Sequence, residues 1–175
     1  NQAIKLDPRN SWSFYCRGDI KVEMDDLEGA ILDYTKSLKI DSKSAHTYGS
    51  RGSAYYNQGS YNEALADYNK SIKLGANETG IYYNRALVYK DMNDTQNAFN
   101  DYTTAIELDS KNTGAYINRG IILMDSRQLD AAMADFNKAL NLDSENTSGL
   151  NSRGSCNNNI GNYEEALKDL NKAIE

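Results

Sequence analysis

The chain has 175 residues and a net charge of −6, with 39% hydrophobic residues, one proline, two cysteines and one histidine. An acidic chain with no basic run does not suit general nucleic-acid or anionic-membrane binding, and it holds no apolar run of the roughly 18 residues that span a bilayer. His46 alone builds no triad or histidine-rich metal site, and there is no Cys-x-x-Cys and no Gly-rich phosphate loop with lysine, so neither catalysis nor a cofactor is expected.

The first segment, Asn1 to Asp7 (NQAIKLD), matches NKALNLD at Asn137 to Asp143, and Pro8 stops it. The chain is thus expected to begin inside a helix, with residues 1–10 as the end of a truncated preceding repeat. A full window follows at 11–44, with Trp12, Phe14, Tyr15 and Gly18 on a first helix and Leu27, Ala30, Ile31, Tyr34 and Leu38 on a second. Equivalent windows occupy 45–78, 79–112, 113–146 and 147–175. In the third, Tyr82, Ala86 and Tyr89 recur at helical spacing, as do Ala98, Tyr102, Ala105 and Ile106. Asp25-Asp26, Gly59-Ser60, Asn93-Asp94, Arg127-Gln128 and Gly161-Asn162 mark the turn inside each window. Between windows, Asp-Ser-Lys-Ser, Gly-Ala-Asn-Glu and Asp-Ser-Lys-Asn offer Asp and Ser as helix caps. The fifth window stops before its closing Leu-Asp, so both ends read as cut.

Three residue series fix the period. Arg17, Arg51, Arg85, Arg119 and Arg153 are 34 residues apart, and so are the alanines from Ala30 to Ala166 and the aspartates from Asp33 to Asp169. Five copies at one interval define a tandem array, a solenoid or propeller rather than a globule, and the spacing within its windows is that of all-α architecture. Each Arg lies on the first helix of its window and each Asp on the second. A half-buried charge is costly unless paired, so a ladder of Arg–carboxylate pairs is expected. The small residues Gly18, Gly52, Ala86, Gly120 and Gly154 are expected to face the alanine series where the two helices cross. Tyr34, Tyr68, Tyr102 and Phe136, with Leu170 in the fifth window, would fill the space beside them.

These residues resemble the tetratricopeptide repeat (TPR), whose 34-residue window has a small residue late in the first helix, tyrosine three on, then alanine and an aromatic in the second. Gly52, Tyr55, Ala64 and Tyr68 match it in the second window, and equivalents recur elsewhere. The departures are the closing proline, kept only as Pro8, and the tyrosine place, which holds Lys21 in the first window and Asn157 in the fifth. The resemblance implies a right-handed α-solenoid of about five helix-turn-helix repeats, one array over 1–175. It also implies a concave groove lined by the first helices, in which an extended or helical segment of a protein or peptide partner binds.

The groove places hold Tyr83, Asn84 and Leu87 in the third window and Ile117, Asn118, Ile121 and Met124 in the fourth. Asn84 and Asn118 are 34 apart, with Ser50 and Ser152 continuing the row. An amide both donates and accepts, so such a row can hold an extended backbone without reading its sequence. This is similar to the asparagine ladder of O-linked N-acetylglucosamine transferase repeats. Tyr83, Leu87, Ile117, Ile121 and Met124 make the middle of the groove apolar, either to anchor partner side chains or to pack between neighbouring helices. The clamp by which some members grip the C-terminal carboxylate of heat-shock chaperones is absent: its places hold Tyr15, Asp19, Ser50, Gly80 and Asn84. The expected role is a non-enzymatic scaffold. The alternatives are the substrate-recruiting region of a larger enzyme, such as a glycosyltransferase, and end-to-end self-association. Cys16 and Cys156, four windows apart, cannot meet in a linear stack, which favours a reducing compartment, the cytoplasm.

Overall fold

A computed structural model describes residues 2–175. Asn1, in the segment expected to end a preceding helix, lies outside the described residues. Among the described residues there are eleven helices and no strand. The short α1 (Gln2–Leu6) is followed by five helix pairs: α2 (Ser11–Glu23) with α3 (Leu27–Ile40), α4 (Ala45–Asn57) with α5 (Tyr61–Lys73), α6 (Thr79–Asp91) with α7 (Thr95–Leu108), α8 (Thr113–Asp125) with α9 (Leu129–Leu142), and α10 (Thr147–Ile160) with α11 (Tyr163–Lys172). The fold class is an all-α solenoid of helix pairs. The chain forms two compact units, one ending at Met92 and one from Asn93 to Glu175. In the first, α2 packs on α3, α3 on α4, α4 on α5 and α5 on α6. In the second, α7 packs on α8, α8 on α9, α9 on α10 and α10 on α11.

The turn inside each pair is set by one residue in the left-handed region. Asp25, Asn93 and Arg127 all have φ of 60°, and Gly59 and Gly161 have φ of 81° and 93°. These five positions are themselves 34 apart. A Cβ at Gly59 would meet nothing within 4 Å, so glycine serves backbone freedom there, not room. The pair-to-pair junctions are capped by Ser44, Asn112 and Asn146, whose side chains accept from the backbone N–H three residues on. Asp41, Asp109 and Asp143 do not cap as expected. Each closes the preceding helix and accepts from the N–H two residues on, at Lys43, Lys111 and Glu145.

Within each unit the core runs between helices that pack on one another. Ala30, Ala64, Ala98, Ala132, Tyr34, Tyr68, Tyr102 and Phe136 are buried. The atoms nearest to a Cβ built on Gly18, Gly52 or Gly120 belong to the aromatic ring of the second helix. A Cβ on Gly18 would lie 2.6 Å from Tyr34 Cε1, and one on Gly120 would lie 2.6 Å from Phe136 Cε1. Planar rings laid flat against bare backbone are what need the missing side chain. In the last pair, a Cβ on Gly154 would be 3.0 Å from Leu170 Cγ and 3.3 Å from the carbonyl of Ala166.

Candidate functional site

The arginine ladder is structural, as expected from its repeated aspartates. Arg17, Arg51, Arg119 and Arg153 each donate Nε and Nη2 to the two carboxylate oxygens of Asp33, Asp67, Asp135 and Asp169, at 2.6 to 2.9 Å. The four aspartates are buried. The guanidinium groups lie over rings of their own helix: Arg51 is 5.7 Å from the centroids of Tyr48 and Tyr55, and Arg85 is 5.6 and 5.7 Å from Tyr82 and Tyr89. Burial works against the charge on Asp33, but hydrogen bonds from Arg17 and Lys21, and their charges, outweigh it and hold its pKa below the ordinary value.

The third guanidinium nitrogen does something the sequence did not announce. Arg51 Nη1 donates to Thr35 Oγ1 at 2.9 Å, Arg85 Nη1 to Asn69 Oδ1 at 2.6 Å, Arg119 Nη1 to Thr103 Oγ1 at 3.3 Å and Arg153 Nη1 to Asn137 Oδ1 at 2.9 Å. Each acceptor lies on the second helix of the preceding pair. The signal was present as the 34-spaced row Thr35, Asn69, Thr103 and Asn137, which reads as ordinary helix surface until its donor is known.

The opposite edge of the first helices carries the candidate binding residues. In the first unit a chain of hydroxyls and amides runs along it. Tyr15 Oη is 2.7 Å from His46 Nε2 and 3.4 Å from Ser50 Oγ. Tyr34 Oη donates to Asp19 Oδ1 at 2.7 Å. Ser53 Oγ is 2.9 Å from Tyr68 Oη and accepts from Asn84 Nδ2 at 3.5 Å. Tyr56 Oη donates to Asp91 Oδ2 at 2.8 Å. Burial, then the hydrogen bond and charge of Asp91, raise the pKa of Tyr56, and burial pushes Tyr68 up to about 12 against the opposing effect of Ser53. Tyr83, Asn84 and Leu87 are all half-buried on α6. Trp12 is 64% exposed and stacks on Tyr15 with centroids 4.9 Å apart.

In the second unit the expected residues fall into two sets. Ile117 is 6% exposed and packs with Tyr116 and Ala139. Ile121 and Met124 are half-buried against the cluster of Leu123, Ala132, Phe136 and Cys156. Asn118 is half-buried and donates Nδ2 to the Gly114 carbonyl of its own helix at 3.0 Å. Ile117 is therefore core, whereas Asn118, Ile121 and Met124 keep some accessible surface.

Sequence reasoning treated the second-helix aromatics as filler and missed their hydroxyls. The signal was a pairing fifteen residues apart: Tyr34 with Asp19 and Tyr68 with Ser53, but Phe136 with Ile121. Asp19 and Ser53 bond the hydroxyl of their ring, and Phe136 carries none beside Ile121, whereas Tyr102 keeps its hydroxyl fifteen residues after Leu87. No group of three or more His, Cys, Asp or Glu able to hold a metal occurs among the described residues, and no helix there is long and apolar enough to cross a membrane.

Comparison with known proteins agrees with this architecture. The model described as TPR repeat matches residues 18–59 and 52–93, and the model described as tetratricopeptide repeat matches 79–112, 113–146 and 148–175. No curated protein matches the sequence. Among solved structures, the chain is similar to YrrB, a TPR protein with an unusual peptide-binding site, at 25% identity and a TM-score of 0.82 over 99% of this chain and 89% of that one. It is also similar to MamA, at 26% identity and a TM-score of 0.82 over 90% of this chain and 92% of that one. It shares its fold with MamA from Desulfovibrio magneticus RS-1, at 18% identity and a TM-score of 0.85 over 94% and 93% of the two chains. The five 34-residue windows, the helix pairs they form and the matching family models all agree that the chain belongs to the tetratricopeptide repeat family.

Proposed function

We propose that this chain is a non-enzymatic scaffold that holds extended segments of a partner protein along the exposed edges of its first helices. The observation that carries this is the hydrogen-bonded row on the first unit. Ser53 is fixed by Tyr68 and accepts from Asn84 Nδ2 at 3.5 Å, while Asn84 Oδ1 makes no hydrogen bond among the described residues. A half-buried amide with its nitrogen anchored and its oxygen open is set to accept from a backbone N–H. Tyr83 and Leu87 flank it with apolar surface. On the second unit, Ile117 serves as packing beneath Asn118, Ile121 and Met124, which supply the contact. The peptide-binding site of YrrB, a protein 25% identical to this one, supports the class of ligand.

The test begins with affinity capture from a native lysate, using the chain and its Asn84→Ala/Asn118→Ala variant side by side. The captured partner is then tiled as peptides and the retained peptide titrated against both forms. The variant is expected to bind about fivefold to tenfold more weakly, as for one or two lost hydrogen bonds. Equal affinity with unchanged helicity would remove the assignment.

A second reading, self-association, draws on Tyr163, Leu167 and Ile174, which are exposed on and just beyond α11. A mass in light scattering that stays monomeric at all concentrations would dispose of it.

A further inference from the structure

Position 19 breaks the pattern of its series. Ser53 holds the equivalent place in the second pair and Ile121 in the fourth. Ser53 satisfies the buried hydroxyl of Tyr68 at 2.9 Å, so a neutral oxygen meets everything the core requires there. Asp19 does the same for Tyr34 at 2.7 Å and adds a full negative charge. The basic residues of its own helix, Arg17 and Lys21, are committed to Asp33. Glu23 stands one turn further on, and like charges at that spacing repel by a few tenths of a kcal/mol. The fold thus carries an unneutralised carboxylate where a serine would serve.

That carboxylate lies on the wall of a cleft of about 380 Å³ formed by α2, α3 and α4. Asp19, Glu23, Tyr34, Ser50, Ser53 and Asn57 line it, and among the described residues no Lys, Arg or His does. The donor from Tyr34 holds the Asp19 side chain in one orientation, so the charge is aimed and not merely present. The Tyr34 and Ser50 hydroxyl oxygens and the Asn57 amide oxygen are further acceptors around the same space.

We infer that this cleft receives the guanidinium group of an arginine in the bound partner segment. Guanidinium carries five N–H donors in a rigid fork, which suits several acceptors spread around one cleft, whereas an ammonium is a compact point charge. Charge-assisted hydrogen bonds to Asp19 and Glu23 would supply the pairing that the fold lacks. The inference deepens the proposed function and rests on it, but the two fail separately. One depends on Asn84, the other on Asp19.

The experiment is a nuclear magnetic resonance titration of the ¹⁵N-labelled full chain with N-acetylarginine methylamide and with the neutral citrulline analogue. The arginine probe is expected to shift the amides of residues 19–23 and 50–57. Citrulline, and arginine against Asp19→Asn, are expected to bind about fivefold more weakly, as for one partly exposed ion pair. Asparagine still accepts from Tyr34, so the fold should hold; Asp19→Ser, copying the second pair, is the replacement if it does not. Shifts scattered over all surface carboxylates, or shifts at the cleft unchanged in the variant, would overturn the inference. A partner peptide that loses affinity in Asn84→Ala but shows no preference for arginine would also overturn it, while leaving the proposed function standing.

Discussion

Removing one member of the Arg119–Asp135 pair should cost far more than removing both. Two short hydrogen bonds join them, at 2.8 and 2.7 Å, and the side chains are 19% and 8% exposed. Breaking a buried pair from one side leaves a stranded charge, which costs about 3–5 kcal/mol. Arg119 keeps some access to water, the Tyr116 ring 5.8 Å away and a bond to Thr103, so the low end, about 3 kcal/mol, is the expected cost of Asp135→Leu. At about 2–4 °C per kcal/mol for a chain of this size, the midpoint should fall by about 6–12 °C. The double replacement Arg119→Met/Asp135→Leu strands nothing and should recover about 2 kcal/mol or more relative to the sum of the singles. Urea unfolding followed by far-ultraviolet circular dichroism on the four proteins completes the cycle. Singles that add to within about 0.5 kcal/mol would show that the two residues are independent, and the ladder would lose its structural role.

The hydroxyl pairing gives a reciprocal test by the same assay. Tyr68→Phe should lose about 1 kcal/mol with its bond to Ser53, and Phe136→Tyr about 1–3 kcal/mol by burying a hydroxyl beside Ile121. Adding Ile121→Ser should return part of the second loss. At the turn, Arg127→Gly should raise stability by about 0.5–1 kcal/mol, because a long side chain at φ of 60° is strained and glycine is not; an unchanged midpoint would mean that the turn is already relaxed. For acid, Asp33 has a lowered folded-state pKa. Its contribution is complete above the ordinary value of 3.8 and is lost as pH falls through the folded value, so Asp33→Asn should flatten the stability profile below about pH 4. For alkali the sign reverses. The pKa of Tyr68 is raised to about 12, so its contribution is complete below pH 10 and is lost between pH 10 and about 12. An ultraviolet titration at pH 11 should therefore find fewer ionised tyrosines in the folded chain than in denaturant.

What the sequence made legible was whatever repeats. The period, the helix pairs and the Arg–Asp ladder follow from residue types kept at one spacing, because those positions solve the same packing problem in every window. What it hid was the use of side chains with more than one role. Tyr34 and Tyr68 look like core and are core, yet their buried hydroxyls bond Asp19 and Ser53 on the first helices. Ile117 sits at a groove place by register but turns into the core between Tyr116 and Ala139, because a helix of 3.6 residues per turn divides a face unevenly. Asn118 fits an amide row by position, but its nitrogen is held by the carbonyl one turn back, a local competition that spacing alone does not reveal. The special character of Asp19 became visible only beside Ser53 and its tyrosine.

The division of labour within each arginine bears on how such arrays change length. The charged contacts, Nε and Nη2 to aspartate, close inside one helix pair, and only the neutral contact from Nη1 reaches back to its neighbour. Excising or duplicating the window of Arg51, Arg119 or Arg153 therefore leaves its carboxylate with its guanidinium and exchanges one threonine or asparagine acceptor for another. Expansion and contraction by gene duplication can proceed without an intermediate that buries an orphaned charge. The same arrangement makes these pairs electrostatically self-sufficient during synthesis, since their ion pairs can form before the following window leaves the ribosome.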